Sequence, residues 1–157
     1  MRVVFIHPSQ DVDRDYIDYP PFSSLGVWQN AAALSCLGHE TRVVDAFALP
    51  DSDYLPTTDG ARFGVSDERL LEEISAAPFE CAVIHLCVFD VEREGRPCVA
   101  ARITKALRAL RPKAKLIVAE LAIGGMHALA YDPKQRLHFW PEAPDAWLRF
   151  EIGRAHV

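Results

Sequence analysis

The chain has 157 residues and a net charge of −5, with half of its residues hydrophobic and a quarter charged, which suffices for one domain with a sizeable core. The acidic balance, with Arg102, Lys105, Arg108 and Arg111 spread along one segment as a solvated face, argues against a nucleic-acid partner, because phosphate binding needs clustered Lys and Arg. No apolar run reaches the roughly 18 residues of a membrane span. The amino terminus reads as a strand rather than a signal peptide. Cys36, Cys81, Cys87 and Cys98 have no metal or redox spacing and read as small core residues in a reducing, cytoplasmic setting.

In chain order, Arg2 to Ile6 is a continuous β-branched and aromatic run, followed by a long polar loop from His7 to Pro21. Ser23 or Ser24 caps a helix through about Leu37, with Leu25, Trp28, Ala32, Leu34 and Leu37 as its apolar stripe and Gly38 as its stop. Thr41 to Ala46 is the second strand. Leu49 to Val65, broken by prolines and glycines, reads as an irregular excursion that includes at most a small hairpin. Ser66 or Asp67 then caps a helix from Glu68 to Ala77, and Phe79 to Leu86 is the third strand. Pro97 sits in the first turn of a helix ending near Leu110, closed by Pro112. Lys115 to Leu121 is the fourth strand. After a poorly periodic stretch with at most a short helix from Pro133, Ala146 to Phe150 forms the fifth.

Alternating strands and helices predict a doubly wound α/β fold: a five-stranded parallel sheet of order 2-1-3-4-5, covered by helices on both faces, with its switch point between strands one and three. Ligands of such sheets bind at the carboxyl ends of the strands. There the sequence places His7-Pro8-Ser9-Gln10, His85 to Asp90 and Gly124-Gly125-Met126-His127. The paired glycines remove every Cβ where a ligand would approach the backbone. His7, His85 and His127 could converge on a metal, as three protein ligands plus water is a catalytic zinc pattern, although no pair has local ligand spacing. A dinucleotide fingerprint, a phosphate-binding P-loop, a hydrolase nucleophile elbow and the acidic strand ends of a receiver domain are all absent. Asp11, Asp13, Asp15 and Asp18 lack the Gly and terminal Glu of a calcium loop and read as solvated.

Three pieces, in order, carry a resemblance. They are Tyr19-Pro20-Pro21-Phe-Ser-Ser-Leu25-Gly26-Val27, then Ala31-Ala-Ala-Leu34 with Gly38-His39-Glu40-Thr-Arg-Val-Val-Asp45-Ala46, and Gly124-Gly125-Met126-His127. Together they resemble the amino-terminal cobalamin-binding domain of B12-dependent radical SAM enzymes, a flavodoxin-like Rossmann fold, over about 150 residues. The resemblance implies a corrinoid lying against the carboxyl edge of the sheet, its nucleotide tail in the cleft by strand one. Tyr19, Pro20, Leu25 and Gly26 would border it, Val88 and Phe89 would lie beneath it, and Gly124, Gly125, Met126 and His127 would meet the nucleotide side. His85 would sit at the same edge. A corrin is broad, flat and rimmed with amides, and an apolar shelf with glycines and a few polar partners suits it.

Two departures bear on mechanism. No Asp is followed two residues later by His, so the D-x-H-x-x-G histidine that reaches cobalt in methionine synthase-like domains is missing. That favours a reduced, strongly nucleophilic cobalt without this ligand. The C-x-x-x-C-x-x-C of a radical SAM barrel is also missing, so S-adenosylmethionine and a 4Fe-4S cluster would belong to a following domain of a longer parent enzyme, and this chain alone would not turn over. Ile152 to Val157 resembles a translated sequencing adapter, and the domain is taken as 1–150 with a non-native tail at 151–157. The expected partners are the corrinoid and that following domain, with neither nucleic acid nor membrane. Alternatives are a stand-alone flavodoxin-like domain holding a nucleotide or flavin, and a metal-dependent hydrolase fragment built on His7, His85 and His127.

Overall fold

A computed structural model describes residues 1–13, 25–58, 60–86, 97–123 and 143–152. Among them the elements run β1 (Arg2–His7), β2 (Gln10–Asp13), α1 (Leu25–Cys36), β3 (Glu40–Asp45), β4 (Asp53–Thr57), β5 (Gly60–Gly64), α2 (Asp67–Ser75), β6 (Cys81–Leu86), α3 (Val99–Leu110), β7 (Lys115–Ile123) and β8 (Ala146–Ile152). Five parallel strands form one sheet in the order β3-β1-β6-β7-β8, and an antiparallel sheet β2-β5-β4 stands beside it. The chain is thus α/β, with a parallel sheet packed between helices.

Side chains alternate across a strand, so a sheet buried on both faces reads as an unbroken apolar run. In β1, Val4 and Ile6 join Val44, Ile84, Leu116 and Val118 against Leu70 and Ile74 of α2 and Ile103 and Leu107 of α3. Val3 and Phe5 turn the other way, joining Cys81, Val83 and Ala119 against Val27 and Ala31 of α1. Helix ends follow local chemistry. Ser66 caps α2 by accepting a hydrogen bond from the Arg69 backbone N–H at 3.1 Å. Gly38 follows α1 with φ +84°, the left-handed stop expected of it. No helix among the described residues is long and apolar enough to cross a membrane.

Several expectations need correction. The segment after His7 is not all loop: Gln10–Asp13 is a strand whose partner, β5, lies some fifty residues on, and the 53–64 excursion is a regular hairpin extended by it. The apolar stripe of α1 is misplaced, since Val27 and Ala31 are buried while Leu25, Trp28 and Leu37 are exposed. This helix carries no charge, and apolar residues on every side leave periodicity nothing to select. Pro97 precedes the Cys98 N-cap rather than opening α3. Cys36 is exposed, whereas Cys81 and Cys98 are buried as expected; burial, then the charge of Asp145, raises the Cys81 thiol above its ordinary pKa.

Neither Arg102 nor Asp11 is merely solvated. Arg62 on β5 donates to both carboxylate oxygens of Asp11 at 2.8 and 3.1 Å and to Asp67 at 3.0 Å. Arg102 on α3 donates to Asp67 at 2.7 Å and to Asp11 at 3.2 Å. Two cations alternate with two anions, each at least three-quarters buried, and together they tie the small sheet to α2 and α3. Such pairs are worth most by what their removal exposes: a carboxylate left without its partner.

Arg102→Met should therefore lower unfolding stability by about 1–3 kcal/mol, discounted for partial exposure, measured by urea denaturation; an unchanged midpoint would show the network to be ornamental. Gly64 has φ +103°, and a Cβ there would meet the Ser9 hydroxyl at 2.8 Å, where that hydroxyl donates to the Val65 carbonyl. Gly64→Ala combines strain with a clash and should cost about 1–3 kcal/mol by the same measurement.

Candidate functional site at the carboxyl edge of the parallel sheet

The last residues of β3, β1 and β6 lie side by side. His7 pairs in register with Asp45, and the β1–β6 register, which runs through Ile6 opposite Ile84, brings His85 next to His7. By strand alternation all three project onto the α1 face, beyond Phe5 and Val83. They form a polar row across three neighbouring strands, and Ala119 of β7 continues it.

His7 and Asp45 hold each other. His7 Nδ1 lies 3.0 Å from Asp45 Oδ1, with both side chains buried. A carboxylate only accepts, so Nδ1 carries the hydrogen in this pair. Asp45 Oδ1 also accepts the Phe47 backbone N–H at 3.0 Å, and the Phe47 ring stacks on the imidazole at 4.9 Å between centroids. His85 is 6% exposed and lies 6.5 Å from the Phe5 ring. Its Nε2 is buried with no hydrogen-bond partner among the described residues, and the same is true of Oε1 of Gln10, the first residue of β2. Buried polar atoms in native proteins are nearly always paired, so each of these two atoms has hydrogen-bonding capacity that the described residues do not use. Burial, reinforced by the neighbouring His7, pushes His85 down to about 4, and its ring is neutral at physiological pH.

On the same face, but toward the amino-terminal ends of the strands, an apolar groove of about 270 Å³ is bordered by Met1, by Val3 and Phe5 of β1, by Cys81 and Val83 of β6 and by Leu34 of α1. Pockets that enclose a whole small ligand run about 300–1,000 Å³. The groove therefore suits one flat apolar end of a ligand rather than a large ring system.

Of the residues implicated by sequence, the structure brings His85 to this edge and places Leu25 and Gly26 in the first turn of α1, with Leu25 69% exposed. Tyr19, Pro20, Val88, Phe89, Gly124, Gly125, Met126 and His127 lie outside the described residues, as do Cys87, the stretch from Pro133 and the end of the chain at 153–157. No three His, Cys, Asp or Glu side chains among the described residues are grouped to hold a metal ion. His7 instead spends its Nδ1 on Asp45. Sequence reasoning overlooked Asp45 as the partner of His7, and placed Gln10 at this edge without giving it a role. The adjacency of the first two strands carried the signal for the pair, because two polar residues ending neighbouring parallel strands in register must meet. Compared with known proteins, the chain matches no family model, no curated protein and no solved structure.

The lowered His85 sets a pH dependence. An unfolded chain takes up a proton near pH 6.5 that the folded protein accepts only near pH 4. The stabilisation is complete above about pH 6.5, declines as pH falls through that window and is gone below about 4, a loss of up to about 3 kcal/mol. Denaturation series at pH 7, 5.5 and 4.5 should show a shallower decline in His85→Phe than in the wild type; parallel curves would refute the assignment.

Proposed function

We propose that the chain is a cobalamin-binding module of a B12-dependent radical SAM enzyme, in which methyl transfer is the chemistry of the longer parent and this chain alone holds the cofactor without turnover. The observation that carries the reading is the pair of buried, unpartnered polar atoms, His85 Nε2 and Gln10 Oε1, in a fold whose parallel sheet has a polar row at its carboxyl edge. Counting only the strands of the parallel sheet in chain order, β3-β1-β6-β7-β8 becomes 2-1-3-4-5, and the row straddles the point where connections from β1 leave in opposite directions. That supports a doubly wound, flavodoxin-like arrangement with its ligand edge where the sequence resemblance wants it.

These residues suit an amide-rimmed corrinoid chemically, with two imidazoles and a carboxamide to meet its edge. Cobalamin, when bound, would supply a cobalt centre that can carry a methyl group, and the chain has no D-x-H-x-x-G histidine to offer it. The chain's own part is to bind, orient and exclude water. S-adenosylmethionine and the 4Fe-4S cluster belong to the parent's following domain.

Purified protein incubated with hydroxocobalamin should retain corrin absorbance through gel filtration, at about one equivalent per chain. Well-folded protein that retains none would sink the proposal, and retention of FMN in its place would favour the nucleotide or flavin alternative. Gly125→Val, which restores a branched Cβ in the double-glycine segment, should weaken retention about tenfold or more while leaving far-UV circular dichroism unchanged.

A further inference from the structure

A helix with apolar residues on every side is normally buried on every side, yet α1 buries only Val27 and Ala31. Its 12 residues carry no charge. Leu25, Gln29, Ala32 and Cys36 recur at helical spacing as its outward stripe and are all exposed, as are Trp28 on its flank and Leu37 just past its end. Beside this ridge lies the apolar groove. Asn30, Ala33 and Leu34 of α1 form one wall, and Ile117 of β7 and Leu148 of β8 form the other, with Leu148 itself 43% exposed. Among the described residues α1 packs chiefly on β1 and β3, so the groove opens on the side toward β7 and β8.

The charge of this face selects its partner. Two copies of a chain with net charge −5 repel, and in a two-fold contact any charge on the shared patch also faces its like. A homotypic contact therefore needs a neutral surface. Helix α2 carries Asp67, Glu68, Glu72 and Glu73, and α3 carries Arg102, Lys105 and Arg108. By contrast α1 has none, and no described side chain lining the groove is charged. The shape is self-complementary too, because ridge and groove lie side by side on one face. We propose that this face is the contact surface of a symmetric dimer in which α1 of each copy lies in the groove of the other. Each α1 is then packed between its own sheet and the partner's, which accounts for a helix that is apolar all round. Ala32, Ala33 and Ser35 keep the ridge low enough for close approach. A helix about 18 Å long and one groove make a small interface, so the dimer forms in the micromolar range. This association is independent of the corrinoid reading.

Sedimentation velocity of the purified chain between about 1 and 300 μM tests the dimer. The wild type should move from the monomer value toward the dimer value as concentration rises, and no further. Ala32→Glu brings two carboxylates into the contact without touching the core of either copy, and should weaken association by about tenfold or more. Leu110→Glu adds the same charge at the exposed end of α3 and should stay within about threefold of wild type. The Cys36 thiol, exposed in the single chain, should react several-fold more slowly with a maleimide at the upper concentration than at the lower, followed by peptide mapping. A wild type that stays monomeric throughout would overturn the proposal. So would growth beyond the dimer, or association as strong in folded Ala32→Glu as in Leu110→Glu. Where Ala32→Glu fails to fold, the Cys36 measurement on wild type decides: an associated protein with an unprotected thiol makes its contact elsewhere.

Discussion

Burial of β1 on both faces and both edges is the constraint from which the rest follows. Flanked by β3 and β6 and sandwiched between α1 and the α2–α3 pair, the strand has five consecutive buried residues, Val3 to His7. Four are apolar and divide the core between the two faces. The fifth is an imidazole, and a buried imidazole must be satisfied. Asp45 is satisfactory because it ends the neighbouring strand in register, and Phe47 completes the enclosure by stacking on the ring and donating its N–H to the same carboxylate. The polar row is therefore a product of how the sheet is assembled, not an addition to it.

The small sheet shows a different solution to a similar demand. Only two residues, Pro8 and Ser9, separate β1 from β2, so the chain passes directly from the parallel sheet into the antiparallel one. Ser9 is fully buried against Gly64, and its hydroxyl bonds the Val65 carbonyl. A sheet of three short strands has little apolar surface of its own, with Val12 and Ala61 as its buried apolar residues. Ion pairs do the anchoring that a larger core would otherwise provide, through Asp11, Arg62, Asp67 and Arg102. Gln10 is carried into the interior by this arrangement, which is why an amide side chain ends up fully buried near the edge where ligands of such sheets bind.

What was legible in the sequence was what local pattern controls. The runs that became β1, β6 and β7 are predominantly apolar, as strands buried on both faces must be, and Ser66 announces α2 because a hydroxyl before an amphipathic segment has an N–H to satisfy. What stayed hidden depended on partners distant in sequence. Gln10–Asp13 contains one apolar residue, so nothing local marks it as a strand; its pairing with Gly60–Phe63 makes it one. Arg102 looked solvated because helical spacing alone says nothing of Asp11, ninety-one residues away. At the site, His7 and His85 were visible as strand ends, whereas the His7–Asp45 pair required the strands to be placed beside each other first.

The same long separations govern how the chain reaches its fold. Val3 pairs with Thr41 on one side and with Cys81 on the other, and Arg62 must find Asp11 across the whole of α1, β3 and β4. Closing loops of this length precedes any reward from the contacts they bring. During synthesis the first strand emerges long before either neighbour is complete, and it stays open to unwanted association until Cys81 to Leu86 has followed. The residue that ends up most tightly held in the polar row, His7, is thus among the first made and among the last secured.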